Sequence, residues 1–177
     1  MKKFSLKYKS GFTLIELLIV IAILGTLAVV VLLALNPVQQ LARTRDSGRI
    51  STVTQLGHAI EAYATTHNGQ YPTALGAWIQ TYLVNTGEIS TLPKAIPYTA
   101  GGTPCVGQNG WCYAVNGARS AAIVYTTAEA QANVSKCTTS NGCVMSSAAS
   151  FVYSSADGRG GLVCTGSPSA GNQTFCE

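Results

Sequence analysis

The chain has 177 residues, is 47% hydrophobic and 10% charged, and carries a formal net charge of +4. That length accommodates one domain plus one long element. The positive charge does not make a nucleic-acid surface, which needs clustered Lys and Arg: Lys2, Lys3, Lys7 and Lys9 all precede Gly11, and the remaining seven basic residues face seven acids.

The lysine-rich start is followed by Gly11 and then by an apolar run of 24 residues, Phe12 to Leu35, in which Thr26 is the one polar side chain after Glu16. As a helix the run is roughly 36 Å long, enough for a hydrocarbon core of about 30 Å. It exceeds the h-region of about 7–15 residues in a removable signal peptide, and no small-residue cleavage site follows it, since the chain passes into Asn36-Pro37-Val38-Gln39. With its basic residues in front, the segment places Met1 on the cytoplasmic side and everything after Pro37 outside.

Glu16 stands out inside this run. A carboxylate in an apolar span costs roughly 2.5–3.5 kcal/mol at the centre and less toward the interface, so an intramembrane acid is a functional candidate whose partner must be named. Proximity to the membrane edge explains how the acid is tolerated but not what it does.

The Lys-rich leader, Gly11, the sequence Phe12-Thr13-Leu14-Ile15-Glu16 and the unbroken apolar helix together resemble the N-terminal signature of type IV pilins and type II secretion pseudopilins. The resemblance implies that a prepilin peptidase cuts between Gly11 and Phe12, that the new Phe12 amine is methylated, and that Glu16 matches the assembly glutamate whose charge meets the N-terminal amine of a neighbouring subunit. The pairing is physically sensible, because each charge alone in lipid is costly and the pair offsets part of that cost. It further implies partners: other copies in a helical filament, the peptidase, an inner-membrane assembly machinery, and lipid before assembly. Under this reading the protein is a single-pass membrane precursor that becomes an extracellular or periplasmic filament.

Pro37 removes a backbone donor and clashes with the preceding turn, so it kinks or interrupts the helix. Beyond it, Ile50, Val53, Leu56, Ile60 and Tyr63 recur at spacings of 3, 3, 4 and 3, which predicts an amphipathic helix with these on one face and Arg49, Gln55, His58 and Glu61 largely off it. The helix is expected to end near Asn68-Gly69, before Tyr71-Pro72. Arg43, Arg45 and Asp46 read as a solvated face. Gly25 and Pro37 are the weak points of the stem, and the resemblance implies that the segment between them melts on filament packing. The predicted organisation is therefore a leader at 1–11, a transmembrane and assembly helix at 12–35, an amphipathic stem at 36–68 and a globular head at 69–177.

In the head, a short helix is expected around Leu75–Val84, anchored by Trp78, Ile79, Tyr82 and Leu83. Alternating segments then predict strands at Gly110–Asn116, Ser120–Thr126, Ser150–Ser154 and Gly161–Cys164, an antiparallel sheet of three or four strands. A long helix followed by such a sheet is an α+β fold, as the pilin resemblance also implies.

All six cysteines follow residue 100: Cys105, Cys112, Cys137, Cys143, Cys164 and Cys176. An even number in an exported segment reads as three disulfides. Six cysteines allow many connectivities; the sequential pairing 105–112, 137–143 and 164–176 is the expectation, because each bridge closes a short loop. Zinc needs closer ligand pairs, and neither His58 nor His67 is near the cysteines in sequence. Some pseudopilins bind calcium near the segment that resembles Ser154–Gly161, but calcium takes about six to eight oxygens and this loop offers only Asp157. No metal, cofactor or catalytic motif is read from the chain. The expected function is a structural subunit of a type IV pilus or a secretion pseudopilus. The alternative is a minor pilin acting as an adhesion or DNA-uptake module, with nucleic-acid binding by a single subunit disfavoured.

Overall fold

The computed structural model describes residues 11–74, 76–98, 105, 109–138, 146 and 148–176. The leader lysines, Leu75, Cys143 and Glu177 lie outside the described residues. The chain divides into two compact units, one ending at Gln40 and one running from Leu41 to Glu177.

In the first unit, helix α1 spans Leu14–Leu35 and buries none of its residues. It has a mean hydropathy of 3.2 and is long and apolar enough to cross a membrane. Thr26 satisfies its hydroxyl within the helix by donating to the Ile23 carbonyl at 2.9 Å, as a polar group in an apolar setting must. The helix ends at Asn36, which takes left-handed φ 40° and ψ 73°, a conformation that Asn tolerates better than most residues. Helix α2 (Pro37–Thr66) then starts afresh. The Asn36 carbonyl accepts the Gln39 and Gln40 N–H groups, and Pro37 sits at a first-turn position where its missing N–H is no loss. The break expected at Pro37 is thus made by Asn36, and the proline begins the next helix.

In the second unit, α2 buries Ala42, Asp46, Arg49, Val53, Leu56, Ile60 and Tyr63, a stripe spaced alternately by four and three residues. Two expectations are corrected here. Ile50 is not on the buried face but 44% exposed, whereas Arg49 and Asp46 are each 1% exposed. The true stripe runs through two charged positions, which a search for apolar periodicity passes over. Past Thr66, Asn68 and Gly69 both adopt positive φ, and Gly69 N–H donates to the Ala64 carbonyl at 2.8 Å, closing the helix end.

A π-helical turn at Gln80–Val84 follows Trp78 and Ile79, which with Leu83 are buried as expected. The sheet has five antiparallel strands in sequential order: β1 (Cys112–Val115), β2 (Ala122–Thr127), β3 (Ser150–Ser154), β4 (Arg159–Val163) and β5 (Phe175–Cys176). Four were anticipated; β5 has only two residues and carries too short a pattern to read. Helix α3 (Gln131–Thr138) was also not foreseen, since its eight residues offer little beyond Val134 and Cys137 as an apolar signal.

One face of the sheet packs on α2: Ala122, Val124 and Tyr153 join Val53, Leu56, Ile60, Tyr63 and both tryptophans in the main core. Gly57 permits this approach, because a Cβ there would overlap the Tyr153 ring. The opposite face carries Ile123, Val152 and Val163. The β4–β5 connection is tied to that face. Ser150 Oγ donates to the Thr165 carbonyl at 2.7 Å, Ser154 Oγ donates to the Gly171 carbonyl at 3.1 Å, and the Gln173 N–H donates to Asp157 at 2.8 Å.

Cys105 and Cys112 are joined, as expected. Cys137 is joined to Cys164, which corrects both other sequential pairs. The bridge links the end of α3 to the residue after β4 across 27 positions, and the two sulfurs share an apolar cluster with Ala128, Phe151 and Leu162. Spatial packing of α3 against the sheet, invisible in the spacing of cysteines, decides the partner. Cys176 is also disulfide-bonded.

Candidate functional site

The first cluster lies at the N-terminal end of α1. Thr13 is in extended conformation and caps the helix, accepting from the Glu16 N–H at 3.3 Å. Glu16 reaches back: its Oε2 accepts the Thr13 N–H at 2.8 Å and the Thr13 hydroxyl at 2.7 Å. This reciprocal capping box satisfies backbone donors that a helix start would otherwise leave open. The carboxylate also sits at the positive end of the helix dipole, which favours its charge. In an apolar span these contacts lower the cost of an ionised Glu16 and fix its position relative to Phe12.

Gly11 and Phe12 precede the cap and are both exposed, Phe12 by 79%. A Cβ built on Gly11 would meet nothing within 4 Å, so packing does not demand glycine there. The same is true of Gly25. The structure therefore gathers Phe12, Thr13 and Glu16 at one helix end and leaves the Gly11–Phe12 bond on accessible backbone.

A second cluster, missed in the sequence, lies between α2 and the start of α3. Asp46 accepts the backbone N–H groups of Glu129 at 3.0 Å and Ala130 at 2.9 Å, and the Asn133 amide at 2.8 Å. Arg49 pairs with Asp46 at 2.7 Å and with Glu129 at 3.0 Å, donates to the Pro97 carbonyl at 3.0 Å, and lies 3.8 Å from the Tyr98 ring centre. Arg45 grips Glu129 with two bonds of 3.0 and 2.8 Å. Two cations and two anions close on one another, so the expected solvated face holds only for Arg43, which is exposed. A buried network of this kind is satisfied as a unit and is costly to break. The one sequence signal was the i,i+3 pair of Asp46 and Arg49 falling on the α2 stripe.

The remaining polar candidates serve packing. Glu61 accepts the Tyr153 hydroxyl at 2.8 Å and lies 3.7 Å from the exposed His58 ring, a closer role than the surface position read from sequence. Burial pushes the Tyr153 phenol up in pKa, and the Glu61 carboxylate pushes it the same way. His67 stacks on Tyr63 with ring centres 3.7 Å apart. Among the described residues, the one grouping of three metal-ligating side chains is Cys137, Cys164 and Cys176, whose sulfurs lie within 4.8 Å of one another. Sequence spacing did not reveal it. These sulfurs are held in disulfides and are not thiolate ligands.

Residues 6–32 match the family model of the prokaryotic N-terminal methylation motif. Comparison with curated proteins and with solved structures finds no match. The matched segment contains Gly11, Phe12, Thr13 and Glu16 and most of α1, and it is the prepilin-type signal of type IV pilins and pseudopilins. The match covers the N-terminal signal and most of α1 and does not extend into the second unit.

Proposed function

We propose that this protein is a structural subunit of a type IV pilus or pseudopilus, cut between Gly11 and Phe12 and polymerised through α1. The observation that carries the reading is Glu16, a single carboxylate held in place at the end of a helix that is apolar and exposed along its whole length. A membrane anchor alone has no use for that acid.

In this account the peptidase hydrolyses the Gly11–Phe12 bond and removes the leader, residues 1–11, with its four lysines. The new Phe12 amine, once methylated, is a cation four residues from Glu16. Both local donors act on Oε2 of Glu16. A carboxylate has about four acceptor positions, so capacity remains for the amine of a second copy. Transfer of α1 from lipid into a filament core keeps its apolar surface away from water. The paired charges remove the penalty that either would carry alone. Residues 12–35 are then the assembly helix, 36–68 the stem and 69–177 the displayed head, braced by its disulfides.

Replacing Glu16 by Ala tests this. The variant should insert in the membrane and oxidise its head normally but yield at least about tenfold fewer filaments, in line with a lost desolvated charge pair. Filaments in normal number and length would refute the role. Gold labelling of sheared filaments should run along their length; labelling confined to tips would favour the minor-subunit alternative.

A further inference from the structure

The pattern Asn-x-Ser/Thr, with x not proline, marks asparagines that accept N-linked saccharides, and the context that supports it is an exposed loop of an exported protein. The chain carries the pattern twice, at Asn133-Val134-Ser135 and at Asn172-Gln173-Thr174. The fold treats the two differently. The first lies within α3. There the Asn133 amide donates to the buried Asp46 carboxylate at 2.8 Å, and the Ser135 hydroxyl donates to the Ala132 carbonyl. Drawing Asn133 into an enzyme would unwind a helix and strip a buried charge of a donor, which is costly.

The second lies in the β4–β5 connection, immediately before β5. Asn172 and Thr174 are exposed, and Gln173 between them is half-buried. Gln173 fastens the segment. Its N–H donates to Asp157 at 2.8 Å, and its side-chain amide donates to the Ser169 and Gly171 carbonyls at 2.8 and 2.9 Å. The side chains of Asn172 and Thr174, by contrast, have no hydrogen-bond partner among the described residues. With Ser167 and Ser169 they border an open cleft of about 490 Å³, and no charged side chain lines it. An amide nitrogen and a hydroxyl two residues on are thus presented together, beside neutral hydroxyl groups that can donate to and accept from a sugar ring.

We infer that Asn172 is an acceptor of N-linked saccharide and that Asn133 is not. The inference rests on the reading that residues after Pro37 are exported, and it goes beyond polymerisation. In the transfer, Asn172 Nδ2 bonds to the anomeric carbon of a lipid-diphosphate-linked saccharide. The bond from that carbon to the diphosphate oxygen breaks, and the lipid diphosphate leaves with the electron pair. One amide proton passes to the transferase, and nothing is oxidised or reduced.

The test uses the full-length protein purified from the membranes of its native cells, then reduced, alkylated and digested with trypsin. Peptide 160–177 should carry an added saccharide mass that fragmentation assigns to Asn172, and peptide 120–136 should be unmodified. Asn172→Gln and, separately, Thr174→Ala should each abolish the added mass, whereas Thr174→Ser should retain it. An unmodified Asn172 in chains that begin at Phe12 overturns the inference and leaves polymerisation standing. Saccharide on Asn133, or an added mass on 160–177 that survives Thr174→Ala, overturns it as well. A modified Asn172 in chains that keep Met1 sustains the inference and overturns the polymerisation reading.

Discussion

Asp46 and Ala130 lie 84 residues apart in sequence, yet the Ala130 N–H donates to the Asp46 carboxylate at 2.9 Å. Through this contact and those from Glu129 and Asn133, a residue of α2 serves as the cap of α3, which follows β2. The same carboxylate neutralises Arg49. The helix that leads toward the membrane-type segment and the sheet region of the head are thereby locked by charge as well as by apolar packing.

Replacing Asp46 by Ala should cost about 3–5 kcal/mol, because Arg49 is left buried with half its compensation gone and the α3 donors lose their acceptor. Urea unfolding of the detergent-solubilised protein measures this. A loss below about 1 kcal/mol, the scale of an exposed pair, would show that the network is not closed as described.

Gly57→Ala removes a helix-weakening glycine, which in an exposed position gains about 1 kcal/mol. Here the added methyl would overlap the Tyr153 ring, and overpacking of this kind costs about 1–3 kcal/mol. A net loss of stability is expected in the same unfolding measurement, and a gain would contradict the packing of α2 on β3.

Non-reducing peptide mapping should recover Cys137 with Cys164 and Cys105 with Cys112. Replacing Cys137 and Cys164 by Ser together should destabilise the head by about 2–5 kcal/mol, as for a native bridge in a small exported domain. Recovery of Cys164 joined to Cys176 as the dominant species would restore the sequential expectation and refute the observed pairing.

Three phenols are held above their ordinary value near 10, chiefly by burial: Tyr98, Tyr113 and Tyr153. A raised folded-state value means that the neutral phenol is favoured by the fold. The associated stability is complete below the unfolded value and is lost as pH climbs toward the folded one. In an alkaline absorbance titration, these three tyrosines should ionise late, together with loss of tertiary structure. Ionisation of these three near pH 10 without unfolding would contradict their burial.

The sequence disclosed the first unit more fully than the second, for physical reasons. Phe12 to Leu35 is one strong composition signal, and Glu16 is conspicuous because charge is costly there. Four strand segments and the anchors Trp78, Ile79 and Leu83 were legible because alternation and apolar runs mark burial directly. The buried charges were not. Asp46 and Arg49 look solvated until Glu129 and the α3 start are brought to them by the fold of the intervening strands. The partner of Cys137 was likewise set by where α3 packs, and short elements such as α3 and β5 leave too few residues for a period to emerge.

The most direct test of the central claim is mass spectrometry of the mature N-terminus purified from membranes or filaments. The account predicts a chain beginning at Phe12 with one methyl group on its amine and α1 retained. A chain that keeps Met1, or one cleaved after Leu35, would contradict it.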